Sequence, residues 1–293
     1  MKRYIYTFLV NWKNKKTRKP LVIRGARQVG KTFSVEYFGN QQFDNFVKVD
    51  FELERSVHKI FDGDLKADKI LLQLEAAYEQ RIVPGKTLLF FDEIQECSRA
   101  VMSLRYFYEQ MPELHLIAAG SLLELALGDF SFPVGRVEFQ WLRPLGFEEF
   151  LWATGYSELA HHLPTLEVED ALPDFIHDKL MEQLRYYFLV GGMPEPVSVF
   201  ADTSSLTEVN SVQKNLSQSY LQDFTKYGQK IDSDCIEHIF QYMPGHVGQR
   251  IKYTALYPEK RIEKIKQSLH LLELMLLVQR AYSTRSEEHT SEL

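Results

Sequence analysis

Apolar and polar positions along the chain fall into two patterns. Leu21-Val22-Ile23, Thr87-Leu88-Leu89-Phe90-Phe91 and Leu114-His115-Leu116-Ile117-Ala118-Ala119 are nearly unbroken apolar runs. Strands of this kind are buried on both faces, as in a parallel sheet covered by helices. Phe46-Val47-Lys48-Val49-Asp50 alternates and predicts a further strand, and so does the stretch from Val137 to Trp141. Between them lie helical spacings: Tyr4 to Trp12, Lys31 to Phe38 with Gly39 placed to end it, and Asp68 to Gln80 with Ile70, Leu71, Leu74, Ala77 and Tyr78 on one face. Beyond residue 150 only helical patterns remain: Leu180 to Leu189, Thr207 to Tyr227, Cys235 to Met243, and Glu259 to Val278 with Ile262, Ile265, Leu269, Leu272 and Leu276 in register. The pattern predicts an α/β first half with a parallel sheet of about five strands, then a mainly helical remainder.

Composition adds bounds. With 293 residues, 45% hydrophobic and 25% charged, the chain can bury a sizeable core and is expected to hold two domains. A net charge of −6 excludes a nucleic-acid binder whose whole surface is basic. The local cluster Lys13, Lys15, Lys16, Arg18 and Lys19 could touch a phosphate backbone, but without interleaved aromatics a solvated loop is the favoured reading. Cys97 and Cys235 form no C-x-x-C pair, which fits structural thiols in a reducing compartment. No secretory signal opens the chain and no apolar run is long enough to cross a bilayer, so the expected location is cytoplasmic, with no membrane partner. His161, His162, His238 and His246 show no metal-ligand spacing.

The chemistry concentrates at two strand ends. Gly25-Ala26-Arg27-Gln28-Val29-Gly30-Lys31-Thr32 fits G-x-x-x-x-G-K-[ST] directly after the first apolar run. Backbone N–H groups of such a loop cradle phosphates at a helix N-terminus, Lys31 reaches the β- and γ-phosphates, and Thr32 offers its hydroxyl to Mg²⁺. The run at 87–91 ends in Asp92-Glu93. Asp92 is expected to hold Mg²⁺ directly or through water, and Glu93 to orient and deprotonate an attacking water. Arg136 precedes an alternating strand and would stabilise charge on the transferred phosphoryl group, within one chain or across a subunit interface, if it stood at the nucleotide edge; a surface ion pair is the competing account.

These motifs resemble P-loop NTPases. Together with Phe90-Phe91-Asp92-Glu93-Ile94-Gln95-Glu96, Ala119-Gly120-Ser121, Gly135-Arg136-Val137, Pro144-Leu145-Gly146-Phe147-Glu148-Glu149-Phe150 and Gly191-Gly192-Met193-Pro194-Glu195, they resemble more narrowly the prokaryotic AAA-like ATPases that carry a DUF4143 domain. The resemblance spans about residues 20 to 200. It implies ATP and Mg²⁺ as cofactors, hydrolysis that drives a conformational change, and a homo-oligomer or a DNA or protein partner. A nucleotide-gated switch with little turnover is the alternative. In additional-strand P-loop ATPases a polar residue ending the strand at 114–119 senses the γ-phosphate; Ser121 fits that place, or it caps a helix over Leu122 to Leu127. Arg27 and Gln28 match the family's loop signature, with Arg27 either near the phosphates or in a structural contact. Gly191-Gly192-Met193-Pro194 reads as a rigid junction between helices, or as backbone presented to an adenine ring.

The implied organisation is an ATPase core over 1–145, a helical lid and linker over 146–230, and the start of a winged-helix-like DUF4143 region over 231–282. The winged-helix segment can read DNA or serve only for packing. Residues 283–293, Ser-Thr-Arg-Ser-Glu-Glu-His-Thr-Ser-Glu-Leu, resemble translated sequencing-adapter read-through and are expected to be non-native, with the second domain cut short.

Overall fold

The computed structural model describes residues 1–121, 123, 133, 135–165, 172–226 and 232–282. The chain divides into two compact units, Met1–Gln218 and Ser219–Leu293. The expected helix after Ser121 and the expected non-native tail lie outside the described residues, Leu123 excepted.

The first unit is built on five parallel strands: β1 (Leu21–Arg24), β2 (Asn45–Asp50), β3 (Thr87–Asp92), β4 (His115–Gly120) and β5 (Glu138–Trp141). They lie in the order β2-β3-β4-β1-β5, so β4 separates the strand before the glycine loop from the strand ending in Asp92. Parallel neighbours need crossovers, and helices supply them. These are α2 (Lys31–Gln42), α3 (Ala67–Tyr78) and α4 (Ser98–Gln110), while α1 (Tyr4–Lys13) precedes β1. Every residue of β3 and β4 is buried, as their unbroken apolar runs predict.

Alternation on β2 sorts its residues between two layers. Val47 and Val49 enter a core with Leu89, Phe91 and Leu116, covered by Ile70, Leu71 and Leu74 of α3 and Leu104 and Phe107 of α4. Phe46, Lys48 and Asp50 point the other way, toward α2. That helix does not stop at Gly39 but runs on to Gln42. The glycine serves packing instead: a Cβ there would lie 2.4 Å from Phe46 Cδ2, so only glycine lets α2 come down onto β2.

His115 opens β4 buried between Phe43 and Trp12, at ring-centroid distances of 4.7 and 5.9 Å. Burial, with Arg18 nearby, lowers its pKa from 6.5 to about 4. An unfolded chain therefore takes up a proton that the folded chain refuses between those values, and stability falls as pH drops through that window. Denaturant midpoints from pH 7 to pH 4 should show this slope, and His115→Gln should flatten it.

Further helices complete the unit: α5 (Phe147–Ala153), α6 (Ser157–His162), α7 (Asp174–Val190) and α8 (Pro194–Thr203); the boundary between the units falls within α9 (Leu206–Lys226). Leu145, Phe150, Val190, Val197, Phe200 and Val209 form a second apolar centre.

The second unit is helical. Helices α10 (Ser233–Tyr242), α11 (Tyr253–Leu256) and α12 (Ile262–Leu274) bury Cys235, Ile236, Ile239, Leu256, Ile265, Leu269 and Leu272. Asp232 caps α10 by accepting the Cys235 N–H at 3.2 Å and pairs with Lys260 and Lys264 at 3.0 and 2.8 Å. These hydrogen bonds hold its carboxyl at a pKa of about 2. A wing requires paired strands, and among the described residues of this unit there are none.

Candidate active site

The loop from Gly25 to Gly30 leaves β1 at the carboxyl edge of the sheet. Its two glycines are needed for different reasons. Gly30 has φ +91°, the left-handed region that a side chain disfavours, and it opens α2 without a side-chain cap. Gly25 answers to packing, since a Cβ there would lie 2.4 Å from the Leu142 carbonyl oxygen. Ala26 and Val29 are buried, while Arg27 and Gln28 stand exposed, Gln28 with φ +61°. Successive N–H groups around left-handed residues make a concave anion nest that ends at the positive end of α2.

Lys31 is 5% exposed, and its ammonium donates to the carbonyl oxygens of Gly25 and Ala26 at 3.1 and 2.9 Å. An ammonium has three donors, so one remains for a phosphate oxygen. Burial lowers the Lys31 pKa, opposed by Glu93 and Asp92.

Helix α2 and strands β2 and β3 meet in a row of three contacts that climbs toward the carboxyl edge. Residues 39, 36 and 32 share one helix face. Gly39 meets Phe46, Glu36 accepts from Lys48 at 3.1 Å, and Thr32 Oγ1 donates to Asp92 Oδ2 at 2.9 Å. Asp92 is 2% exposed, and its Oδ1 accepts the Glu93 N–H at 3.1 Å, which aims Oδ2 at Thr32. A hydroxyl and a carboxylate are hard oxygen donors suited to Mg²⁺.

Glu93 adopts φ +47°, an uncommon conformation for a residue with a side chain. Its Oε2 accepts from Gln95 Nε2 at 2.6 Å. Burial pushes the Glu93 carboxyl up, partly offset by that hydrogen bond and by Lys31. A Cβ at Gly120 would lie 2.3 Å from Gln95 Oε1, so the glycine before Ser121 makes room for the side chain that holds Glu93. Ser121 follows β4, half-buried, at the same edge as the loop.

Within its own chain Arg136 does not stand at the nucleotide edge, contrary to the expectation for action within one chain. It precedes β5, and the parallel register pairs Glu138 with Leu21, the first residue of β1. Arg136 therefore stands at the amino edge, a strand length of about 13 Å from the loop. There it pairs with Glu109 of α4 at 3.4 Å. The competing surface ion pair is what this chain forms.

Several residues at the site carry no motif. Lys48 Nζ lies 3.2 Å from Asp92 Oδ2 and 3.6 Å from Asp50 Oδ2, in addition to Glu36. Its alternation two residues before Asp50, on the face turned to α2, was the available signal. Burial alone would lower the Lys48 pKa, but Glu36 and Asp92 outweigh it and raise it. Behind the loop, Arg3 Nη1 donates to Val29 O at 3.4 Å. The turn at Gly191-Gly192 joins α7 to α8 and rests on the β5–α5 connection: Leu145 N–H donates to Gly192 O at 2.7 Å. A Cβ at Gly30 would lie 3.6 Å from Pro194 Cγ and 3.9 Å from Arg3 Nη1, so this junction lies within a side chain's reach of the phosphate loop.

Residues 17–151 match the AAA_14 family, described as an AAA domain. A Walker-type ATPase of Pyrococcus abyssi shares the architecture at a TM-score of 0.55 and 16% identity, over 94% of this chain and 89% of that one. The fold is that of a P-loop ATPase. The PCH-2 protein of C. elegans aligns at a TM-score of 0.40 and 12% identity, over 72% of this chain and 67% of that one. The Orc1 protein of Aeropyrum pernix, solved in complex with DNA, aligns at 0.38 and 10%, over 96% and 84%. No curated protein sequence matches the chain. The P-loop ATPase fold is followed by a match, over residues 181–292, to DUF8612, a domain of unknown function. This replaces the expected DUF4143 region. The residues that carried that resemblance lie before position 200, so none of them specified the domain that follows. Among the described residues no helix is long and apolar enough to cross a membrane.

Proposed function

We propose that the chain binds ATP with Mg²⁺ and hydrolyses it, using the cycle to move the helices beyond Leu145. The observation that carries this reading is the 2.9 Å hydrogen bond from Thr32 to Asp92, which joins the loop helix to the acidic strand end. The N–H groups of residues 25–32 and the Lys31 ammonium bind and orient the phosphates. Thr32 and Asp92 would hold Mg²⁺, which when bound supplies positive charge to the phosphate oxygens. Glu93, set by Gln95, takes the proton of the attacking water. Ser121, which follows the intervening strand, would donate to the terminal phosphate.

Coupling to the later helices is supported by Pro194 and Arg3, which back onto the phosphate loop. A backbone that shifts around phosphates would displace the α7–α8 junction. A switch without turnover needs no water activator, and a carboxylate at Glu93, beside Asp92 and held by Gln95, favours hydrolysis over it.

The test is nucleotide affinity and phosphate release in wild type and Lys31→Ala. Loss of the charge-assisted contact from the Lys31 ammonium to the phosphates should weaken binding by about 100-fold. Equal affinity in the two proteins would place the nucleotide elsewhere.

A further inference from the structure

Lys48 sits among three carboxylates: Glu36 Oε1 at 3.1 Å, Asp92 Oδ2 at 3.2 Å and Asp50 Oδ2 at 3.6 Å. The Asp92 oxygen it approaches is the same one that accepts the Thr32 hydroxyl. A buried carboxylate needs a positive partner or hydrogen bonds, and here an ammonium on a flexible stem supplies the charge. The stem rises from β2 opposite Phe90, two residues short of Asp92, so the ammonium reaches forward along the sheet.

We propose that Lys48 is a built-in counter-cation that competes with a divalent metal for Asp92 and sets the metal concentration at which the site fills. The inference deepens the Mg²⁺-dependent reading above and rests on it. A divalent ion on Asp92 Oδ2 repels an ammonium held 3.2 Å from that oxygen. The ammonium has somewhere to go, because Glu36 and Asp50 already lie within reach and neither belongs to the loop or to the Thr32–Asp92 pair. Glu36 sits one turn along α2 from Thr32, so release of Lys48 from Asp92 shifts its charge onto the helix that carries the phosphate loop. Lys48 is thus a positioning residue: it holds Asp92 in place and yields it to the metal.

The experiment titrates Mg²⁺ into wild type and Lys48→Met, each with a fluorescent ADP analogue in metal-free buffer, and reads nucleotide affinity and thermal midpoint rather than turnover. Lys48→Met should fill at a Mg²⁺ concentration about tenfold lower, the worth of one charge-assisted contact. Its metal-free nucleotide affinity is measured alongside, so that a change in nucleotide binding itself is separated from a change in the Mg²⁺ midpoint. Glu36→Gln removes the oxygen that receives the displaced ammonium and should move the midpoint upward, which keeps the test valid should Lys48→Met fold poorly. The difference should persist near 1 M monovalent salt, where the screening length is about 3 Å and only contact competition survives. If both proteins respond to Mg²⁺ with the same midpoint, or Lys48→Met needs more metal, the role of Lys48 is overturned while the metal reading stands. If neither responds to Mg²⁺, the metal reading fails and takes this inference with it.

Discussion

Glu93→Gln should lower steady-state phosphate release by at least about 100-fold, the usual worth of a general base, while nucleotide affinity stays within a few-fold. The glutamine keeps the size and leaves Gln95 a carbonyl to bond, so the strand end is preserved and only the proton acceptor is lost. The pH profile separates this from a structural role. Burial raises the Glu93 pKa, and a base works only when deprotonated. The rate should fall at acid pH as Glu93 takes up a proton, and Glu93→Gln should lose that limb. A variant that releases phosphate at the wild-type rate, with binding intact, would remove Glu93 from the chemistry.

Arg3→Ala carries the largest expected effect on stability. Arg3 and Glu149 form an ion pair at 3.0 Å with both side chains only 8% exposed. The guanidinium also donates to Arg143 O at 2.6 Å and to Val29 O, while Glu149 accepts the N–H groups of Tyr4 at 2.8 Å and Gly146 at 3.1 Å. One pair thus binds the start of α1, the phosphate loop and the entry to α5. Removing one member of a buried pair strands the other and costs about 3–5 kcal/mol. The three tryptophans, Trp12, Trp141 and Trp152, all lie in the first unit, so their fluorescence reports its unfolding in denaturant. Arg3→Lys should recover only part of the loss, because an ammonium cannot span the fork of contacts. A shift under about 1 kcal/mol for Arg3→Ala would show that its loss leaves Glu149 compensated, and would overturn this role for the pair.

Much of the α/β half was legible because its signals are local. Apolar runs marked β1, β3 and β4, and alternation marked β2 and β5. The segment 98–110 was passed over: Ala100, Val101, Leu104 and Phe107 bury one face of α4, but Arg99, Arg105 and Glu109 interrupt the apolar count. Gly39 was misread because a glycine late in a helix looks the same whether it ends the helix or admits a neighbouring ring. Arg136 was misplaced because alternation identifies a strand without saying which edge its first residue occupies.

By itself, the sequence determined that an anion-binding glycine loop follows one buried strand and that two acids end another. Those features depend on backbone conformation and side-chain type within a few residues. Only the tertiary structure decided that β4 would stand between those strands, that α2 would lie with Gly39, Glu36 and Thr32 against Phe46, Lys48 and Asp92, and that Arg3 would reach Glu149 across the fold. Strand order and helix docking are set by the summed packing of distant residues, and charges such as Lys48 and Arg3 acquire their partners only when that packing brings residues far apart in sequence within 3 to 4 Å.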